Sequence, residues 1–73
     1  MGIEINTIIT LSNNDKYKVI NETMYSGKKY FLMAEIVGNQ EVVFEEEIEG
    51  LDTYVKKVDD SELFKELIEI LKK

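Results

Sequence analysis

Apolar and polar residues alternate over most of this 73-residue chain, and the spacing becomes helical near the end. Period-two alternation is typical of strands with one buried face, whereas apolar residues three and four positions apart are typical of an amphipathic helix. Clusters of Gly, Asn, Asp and Ser separate the alternating segments, as turns do. The pattern predicts five strands and one helix, at about 3–11, 17–25, 30–37, 42–48 and 53–58 for the strands and 60–72 for the helix.

This order of elements predicts a single α+β domain over residues 1–73. It is a five-stranded antiparallel β-meander with one C-terminal α-helix packed on a face. Asp59 and Glu62 form a capping-box pattern at the start of the helix, and Val58 and Leu63 are placed as its hydrophobic staple. Burying six apolar side chains of the helix gives a gross term of roughly 9–18 kcal/mol. Since a chain of this size has a net stability of about 4–11 kcal/mol, the helix is predicted to be core and not a detachable peptide.

The hydrophobic pattern also predicts strand register. In the first hairpin it places Ile9 opposite Val19, which keeps apolar residues together on both faces. In the last hairpin a five-residue loop places Glu46 opposite Lys56. That pairing predicts a cross-strand ion pair at the margin of the sheet, worth about 0.2–1 kcal/mol.

A single helix can cover only one face of such a sheet, yet residues 30–37 are apolar on both faces except at Glu35. The face under the helix is predicted to carry Ile3, Ile5, Ile9, Val19, Leu32, Ala34, Ile36, Val42 and Phe44. The opposite face is predicted to carry Ile8, Ile20, Met24, Phe31, Met33, Val37, Val43 and Val55. This second face is either a protein-binding or homodimer surface centred on Phe31 and Met33, or a second small core enclosed by a strongly coiled sheet.

The composition limits the catalytic and metal-binding chemistry open to the chain, because His, Cys, Arg, Trp and Pro are all absent. The side chains that most often perform acid–base catalysis, covalent catalysis and tight transition-metal binding are therefore missing. We expect no enzymatic activity, no cofactor and no tightly bound metal. The formal net charge of −6 argues against direct binding of nucleic acid or anionic lipid. No apolar run approaches the roughly 20 residues of a membrane span, so we expect a soluble cytoplasmic protein.

The densest charge cluster is Glu45, Glu47, Glu49 and Asp52. Alternate residues of a strand point the same way, so these carboxylates could share a hard cation such as Ca²⁺, although the spacing matches no calcium loop. A solvated acidic face is the simpler interpretation. The cluster could also bind a basic surface of a nucleic-acid-processing protein by mimicking phosphates.

The segment Val19–Leu32, with its Tyr25-Ser26-Gly27-Lys28-Lys29-Tyr30 hairpin, resembles the DUF1292 family of small acidic bacterial proteins. The resemblance continues through Glu41–Phe44 and Val58–Phe64 and covers about Ile8 to Leu71. It implies a bacterial cytosolic protein of unknown function, and it brings no catalytic motif and no functional residues.

Together these observations predict a non-catalytic interaction module that self-associates or binds a protein partner through the apolar sheet face. The alternative is an acidic regulator or inhibitor that acts through Glu45, Glu47, Glu49 and Asp52. Binding through the acidic cluster should weaken steeply with ionic strength, whereas apolar association should persist.

Overall fold

A computed structural model describes residues 3–11 and 14–72 of the chain. Five strands in sequence order form one curled antiparallel sheet, and a helix packs on it. The elements are β1 (Ile8–Thr10), β2 (Lys16–Tyr25), β3 (Lys28–Glu35), β4 (Glu41–Glu49), β5 (Asp52–Lys57) and α1 (Ser61–Leu71). The predicted β-β-β-β-β-α order and α+β class are confirmed.

The first strand is much shorter than the pattern predicts, covering three residues instead of 3–11. Asn6 adopts a φ of +70°, a left-handed conformation that does not continue an extended strand. The chain therefore bends before β1, and Ile3 packs against the core of the sheet. The predicted turn that follows, at Ser12–Asp15, lies partly outside the described residues.

The predicted register of the first hairpin is wrong by two residues. Ile9 lies opposite Tyr17 and not Val19. The backbone N–H of Leu11 donates to the carbonyl of Asp15 at 2.9 Å, so the ladder continues closer to the turn than the pattern predicts. A two-residue shift preserves which face each side chain occupies, and Ile9 still points toward a core.

A β-bulge interrupts β2 at Ile20. Val19 pairs with Met33, but Asn21 pairs with Leu32, so Ile20 has no partner on β3. Because side chains alternate between faces, one extra residue reverses which face the later residues of β2 occupy. Bulges also increase local twist, which favours the curl of the sheet.

The curled sheet has a core on each side. The concave core contains Tyr17, Val19, Phe31, Met33, Val42 and Phe44. The second core lies between the sheet and α1 and contains Tyr30, Leu32, Val43, Leu67 and Leu71. The prediction that placed Val42 and Phe44 under the helix, opposite Phe31, is wrong, because Phe31 and Phe44 are direct cross-strand partners and share a face. The alternative of a second small core is correct for Phe31, Met33 and Val55. The other residues predicted for that face are exposed or, in the case of Val43, lie under α1.

The helix begins one residue later than its capping pattern predicts. Asp60, not Asp59, is the N-cap, and its carboxylate accepts hydrogen bonds from the backbone N–H groups of Glu62 and Leu63 at 3.0 and 3.2 Å. At the other end, the Asn21 side chain donates to the carbonyl of Leu71 at 2.8 Å. The residue that follows the bulge thus satisfies a helix carbonyl that has no partner within the helix.

Over residues 3–11 and 14–72, no helix combines the length and the apolar character that crossing a membrane requires.

Candidate functional site

The predicted interaction surface centred on Phe31 and Met33 is not an exposed surface of the subunit. Phe31, Met33 and Val43 each have 0% of their surface exposed. The curl encloses Phe31 and Met33 in the concave core, and α1 covers Val43. The expectation that these three side chains face solvent is therefore wrong.

The other residues predicted for that surface are not brought together. Ile8 is exposed and pairs with Lys18 near the start of β2, whereas Met24 is exposed near the other end of β2 and pairs with Lys29. The remaining two are Ile20, which is exposed at the bulge, and Val55, which is half-buried against the concave core. Because Met24 and Val55 lie away from Ile8 and Ile20, the four residues form no continuous apolar face.

Within the acidic cluster, Glu45 is already paired. The Nζ atom of Lys28 donates to its carboxylate at 2.7 Å, and Lys56 lies directly across from it on β5. The hydrogen bond from Lys28 to Glu45 raises the pKa of the lysine, and their mutual attraction acts in the same direction. Glu45 therefore contributes little free negative charge to the predicted partner surface.

Glu47, Glu49 and Asp52 remain exposed near the β4–β5 turn, and Glu49 lies directly opposite Asp52. Like charges directly opposite each other destabilise a strand pair, so no folding requirement explains this arrangement. No group of three or more acidic side chains among the described residues is arranged to hold a metal ion.

Glu46 is partly buried, but the predicted pair with Lys56 is wrong by one residue. Glu46 lies opposite Val55. The predicted five-residue loop is replaced by a two-residue turn at Gly50 and Leu51, in which Gly50 has a φ of +63°. Glycine adopts this left-handed conformation without steric cost, so the shorter turn is accessible to the chain.

The sheet curls so far that its two edge strands line one cleft. This edge cleft has a volume of about 430 Å³, within the range of small-ligand sites. Its lining residues are all uncharged and are Ile3, Ile9, Thr10, Leu11, Thr53, Tyr54 and Val55. Of these, the hydrophobic pattern placed only Val55 in a candidate site, because the closeness of β1 and β5 depends on curvature.

The strand ladders determine which backbone groups face the edge cleft. Hydrogen-bonded positions alternate along an antiparallel strand. Because the N–H of Leu11 donates to the carbonyl of Asp15, the peptide groups of Leu11 and Ile9 face β2. The N–H and C=O groups of Thr10, between them, therefore face the open side of β1.

The same reasoning applies to β5. The Val58 N–H donates to the Val43 carbonyl at 2.9 Å, so the peptide groups of the even-numbered residues of β5 face β4. The backbone groups of Thr53, Val55 and Lys57 therefore point to the open side. Both edges of the sheet thus present, toward the edge cleft, peptide groups that have no hydrogen-bond partner within residues 3–11 and 14–72.

Lysines lie on β5 and at the start of β2, the neighbour of β1, although β1 itself has no charged residue. Residues 8–18 and 52–57 contain four lysines and two aspartates, a net charge of +2, whereas the whole chain has −6. The lysines are Lys16, Lys18, Lys56 and Lys57. None of these four lysines forms a salt bridge within the described part of the chain. Across the last ladder, however, β5 faces Glu45, Glu46, Glu47 and Glu49 of β4, so the residues around the edge cleft have no net positive charge.

Two tyrosines have perturbed ionisation, and the fold accounts for both. Burial raises the pKa of Tyr17 in the concave core, with smaller effects from Glu35 and Asp15. The hydroxyl of Tyr25 donates to Glu66 of α1 at 2.5 Å, and this hydrogen bond raises the pKa of Tyr25. Both tyrosines stabilise packing, and neither lines the edge cleft.

Comparison of the chain with family models, curated proteins and solved structures gave no match in any of the three. The resemblance to the DUF1292 family therefore stays a prediction from the residues that suggested it.

Proposed function

We propose that this protein is a non-catalytic interaction module that binds a protein partner through the edge cleft between β1 and β5. The observation that carries the proposal is the convergence of the two sheet edges, β1 and β5, on one uncharged cleft. The proposed role is the one that the sequence predicts, but the proposed binding site is the cleft between the sheet edges and not a sheet face. A cytoplasmic location, expected from the absence of cysteine and of an apolar span, is part of the same proposal.

A polypeptide suits this cleft better than a small molecule does. Small-ligand sites enclose most of their ligand and place a few polar side chains around it. Here the polar groups facing the opening include the backbone amides and carbonyls of Thr10, Thr53 and Val55, which lie on strands at either side of the cleft. Peptide groups on an exposed sheet edge are the usual acceptors of an added strand.

A photo-crosslinking amino acid tests this role in living cells. Introduced at Tyr54, which lines the edge cleft and is half exposed, it should give a discrete adduct with another protein. Introduced at Met24, which is more exposed but does not line the cleft, it should give none. Adducts would be detected by gel shift and identified by mass spectrometry. Equal labelling from both positions, or no adduct from Tyr54, would contradict the proposal.

A second candidate function is an acidic regulator that binds a basic protein surface through Glu47, Glu49 and Asp52. The observation that favours it is the direct opposition of Glu49 and Asp52 beside the fully exposed Leu51. A partner that binds there would meet the carboxylates of Glu49 and Asp52 and the apolar side chain of Leu51.

Ionic strength distinguishes this acidic surface from the edge cleft. If the acidic surface binds, retention of the protein on an immobilised lysine-rich peptide should fall steeply as salt increases, because exposed charges are screened beyond about 8–10 Å near physiological ionic strength. Reversing Glu47 and Glu49 to Lys should abolish retention, whereas reversing Glu62 and Glu69 on the helix should leave most of it. Equal losses in the two double variants would show only an effect of total charge.

A further inference from the structure

We propose that β5 pairs antiparallel with β5 of a second copy of this chain, with the two Tyr54 residues opposite each other at a two-fold axis. This inference rests on the proposed function and names the partner that binds on the β5 side of the edge cleft. The two five-stranded sheets would join into one continuous sheet.

The outer edge of β5 carries two charges that the subunit itself leaves unmatched. Asp52 lies directly opposite Glu49, which has the same charge. Lys56 lies opposite Glu45, whose carboxylate already accepts a hydrogen bond from Lys28. Neither Asp52 nor Lys56 forms a salt bridge in the part of the chain that the structure describes. One strand therefore offers a partner a carboxylate and an ammonium group four residues apart.

The direction of the peptide groups limits the registers in which β5 can pair with itself. The N–H and C=O groups of Thr53 and Val55 face the open side, whereas those of Tyr54 face β4. In an antiparallel ladder, residues whose peptide groups face the other strand lie opposite one another. With Tyr54 at the axis, Thr53 lies opposite Val55 of the second copy. This pair and its symmetry equivalent each exchange both N–H···O bonds.

Charge selects the Tyr54 register among those that the backbone allows. In this register Asp52 lies directly opposite Lys56 of the second copy, and the symmetric pair repeats the match. Moving the axis to Thr53 or to Val55 places Tyr54 opposite Asp52 or Lys56 and leaves both charges unmatched. Opposite charges directly across an antiparallel pair are stabilising and like charges are destabilising. Edge lysines ordinarily discourage pairing, so they disfavour registers and partners that supply no carboxylate.

The same register covers apolar surface that is exposed in the single subunit. Tyr54 is half exposed and Leu51 is fully exposed. The two Tyr54 residues would form a non-hydrogen-bonded pair, in which side chains of an antiparallel ladder approach most closely, and aromatic cross-strand pairs are stabilising. Leu51 would lie opposite Lys57 of the second copy, whose methylene groups can cover an apolar side chain.

Symmetry favours this contact over pairing between β5 and the other edge. An antiparallel β5–β5 contact uses the same surface on both copies and closes as a dimer, whereas a β5–β1 contact leaves a free edge at each end and can continue into a filament. β1 also has three residues and no charge to match Asp52 or Lys56. The six residues of β5 are fewer than the roughly 20–30 residues on each side of a standard interface. We therefore expect a weak dimer in equilibrium with the monomer.

Exchanging the two charges tests the register. Asp52→Lys places two lysines opposite each other, and Lys56→Asp places two carboxylates opposite each other. In sedimentation equilibrium, each single variant should have a dimer dissociation constant at least roughly tenfold above that of the parent, since like charges across a ladder are destabilising. An equimolar mixture of the two variants should form a heterodimer about as stable as the parent dimer, because each charge again faces its opposite.

The double variant provides a further comparison and a safeguard. It has the parent's net charge and restores both opposite-charge pairs, so it should self-associate as the parent does. Asp52→Lys replaces the like-charge pair with Glu49 by an opposite-charge pair within the subunit, so its folding should not suffer. Circular dichroism reports the folding of each variant. If Lys56→Asp alone does not fold, Asp52→Lys and the double variant still decide the test.

A cysteine at the axis tests the geometry. The chain has no cysteine of its own. In a glutathione redox buffer, Tyr54→Cys should form an intermolecular disulfide, because the facing Cα atoms would lie about 4.5 Å apart, within the roughly 4.4–6.8 Å that a disulfide spans. Thr53→Cys is the matched control, since it lies on the same exposed strand but faces Val55 of the second copy. Non-reducing gel electrophoresis measures both yields.

The outcomes separate the inference from the proposed function. A parent that stays monomeric at NMR concentrations, a dimer unaffected by Asp52→Lys, or single variants that do not associate when mixed would each overturn the inference. So would equal disulfide yields from Tyr54→Cys and Thr53→Cys. If the parent is monomeric but Tyr54 crosslinks to a different protein in cells, the inference is lost and the proposed function stands. If the dimer follows the charge exchange but Tyr54 gives no cellular adduct, the pairing is supported and the proposed function is lost.

Discussion

Replacing Phe31 by Ala is expected to lower the free energy of unfolding by about 3–5 kcal/mol. The Phe31 ring is fully buried in the concave core, beside its cross-strand partner Phe44. Truncation removes the transfer free energy of the ring and leaves a cavity that the surrounding strands can fill only in part. Since a chain of this length has a net stability of about 4–11 kcal/mol, the variant should be close to unfolding at ambient temperature. Urea denaturation of both proteins measures the difference.

Met24→Ala is the matched control, because Met24 is another large apolar residue but is mostly exposed. Its effect should lie within about 0.5 kcal/mol of zero. The experiment also separates a core from a dimer interface. If Phe31 were an interface residue, the loss of stability would depend on protein concentration. A loss below about 1 kcal/mol, or a concentration-dependent loss, would contradict the burial of Phe31 within one subunit.

The order of elements could be predicted because it depends on local periodicity. Alternation identifies β2 to β5 to within about two residues at each end, and the apolar spacing from Leu63 to Leu71 identifies the helix. Both signals arise from the burial of one face of each element. They require no knowledge of how the elements pack against one another.

The assignment of residues to faces could not be predicted, because it depends on single-residue events. The bulge at Ile20 reverses the faces of β2, and no Gly or Pro marks it in the sequence. The turn at Gly50 and Leu51 is short enough to move Glu46 from Lys56 to Val55. Since one residue of shift exchanges the two faces of a strand, such events determine which apolar residues are enclosed.

The edge cleft could not be predicted from the sequence for a different reason. Thr10 and Tyr54 are far apart in the chain, and neither belongs to a recognisable motif. Lys56 and Lys57 are typical of an edge strand, and β5 lies at one edge of the sheet. The curl of the sheet results from the twist of five strands and one bulge. Only this curl brings β5 to the same cleft as β1.

Replacing Leu67 by Ala is expected to lower the free energy of unfolding by about 2–5 kcal/mol. Leu67 is fully buried between α1 and the sheet, where Tyr30, Leu32 and Val43 form the opposite side of the contact. Lys65→Ala, at an exposed position of the same helix, should change stability by less than about 0.5 kcal/mol. This pair of variants tests whether the helix is part of the folding unit or a separable segment.

Two spectroscopic probes distinguish these cases. Circular dichroism reports the helix, and tyrosine fluorescence reports the cores that contain Tyr17 and Tyr30. If helix and sheet fold as one unit, both signals should change at the same urea concentration in the parent and in Leu67→Ala. Loss of the helix signal at a urea concentration where the part of the tyrosine signal that comes from Tyr17 in the concave core stays native would show that the helix detaches. The sheet would then need to be stable alone, with Leu32 and Val43 exposed on one side and Phe31 enclosed on the other. Because that exposure would cost roughly 1.5–3 kcal/mol per side chain, we expect a single transition.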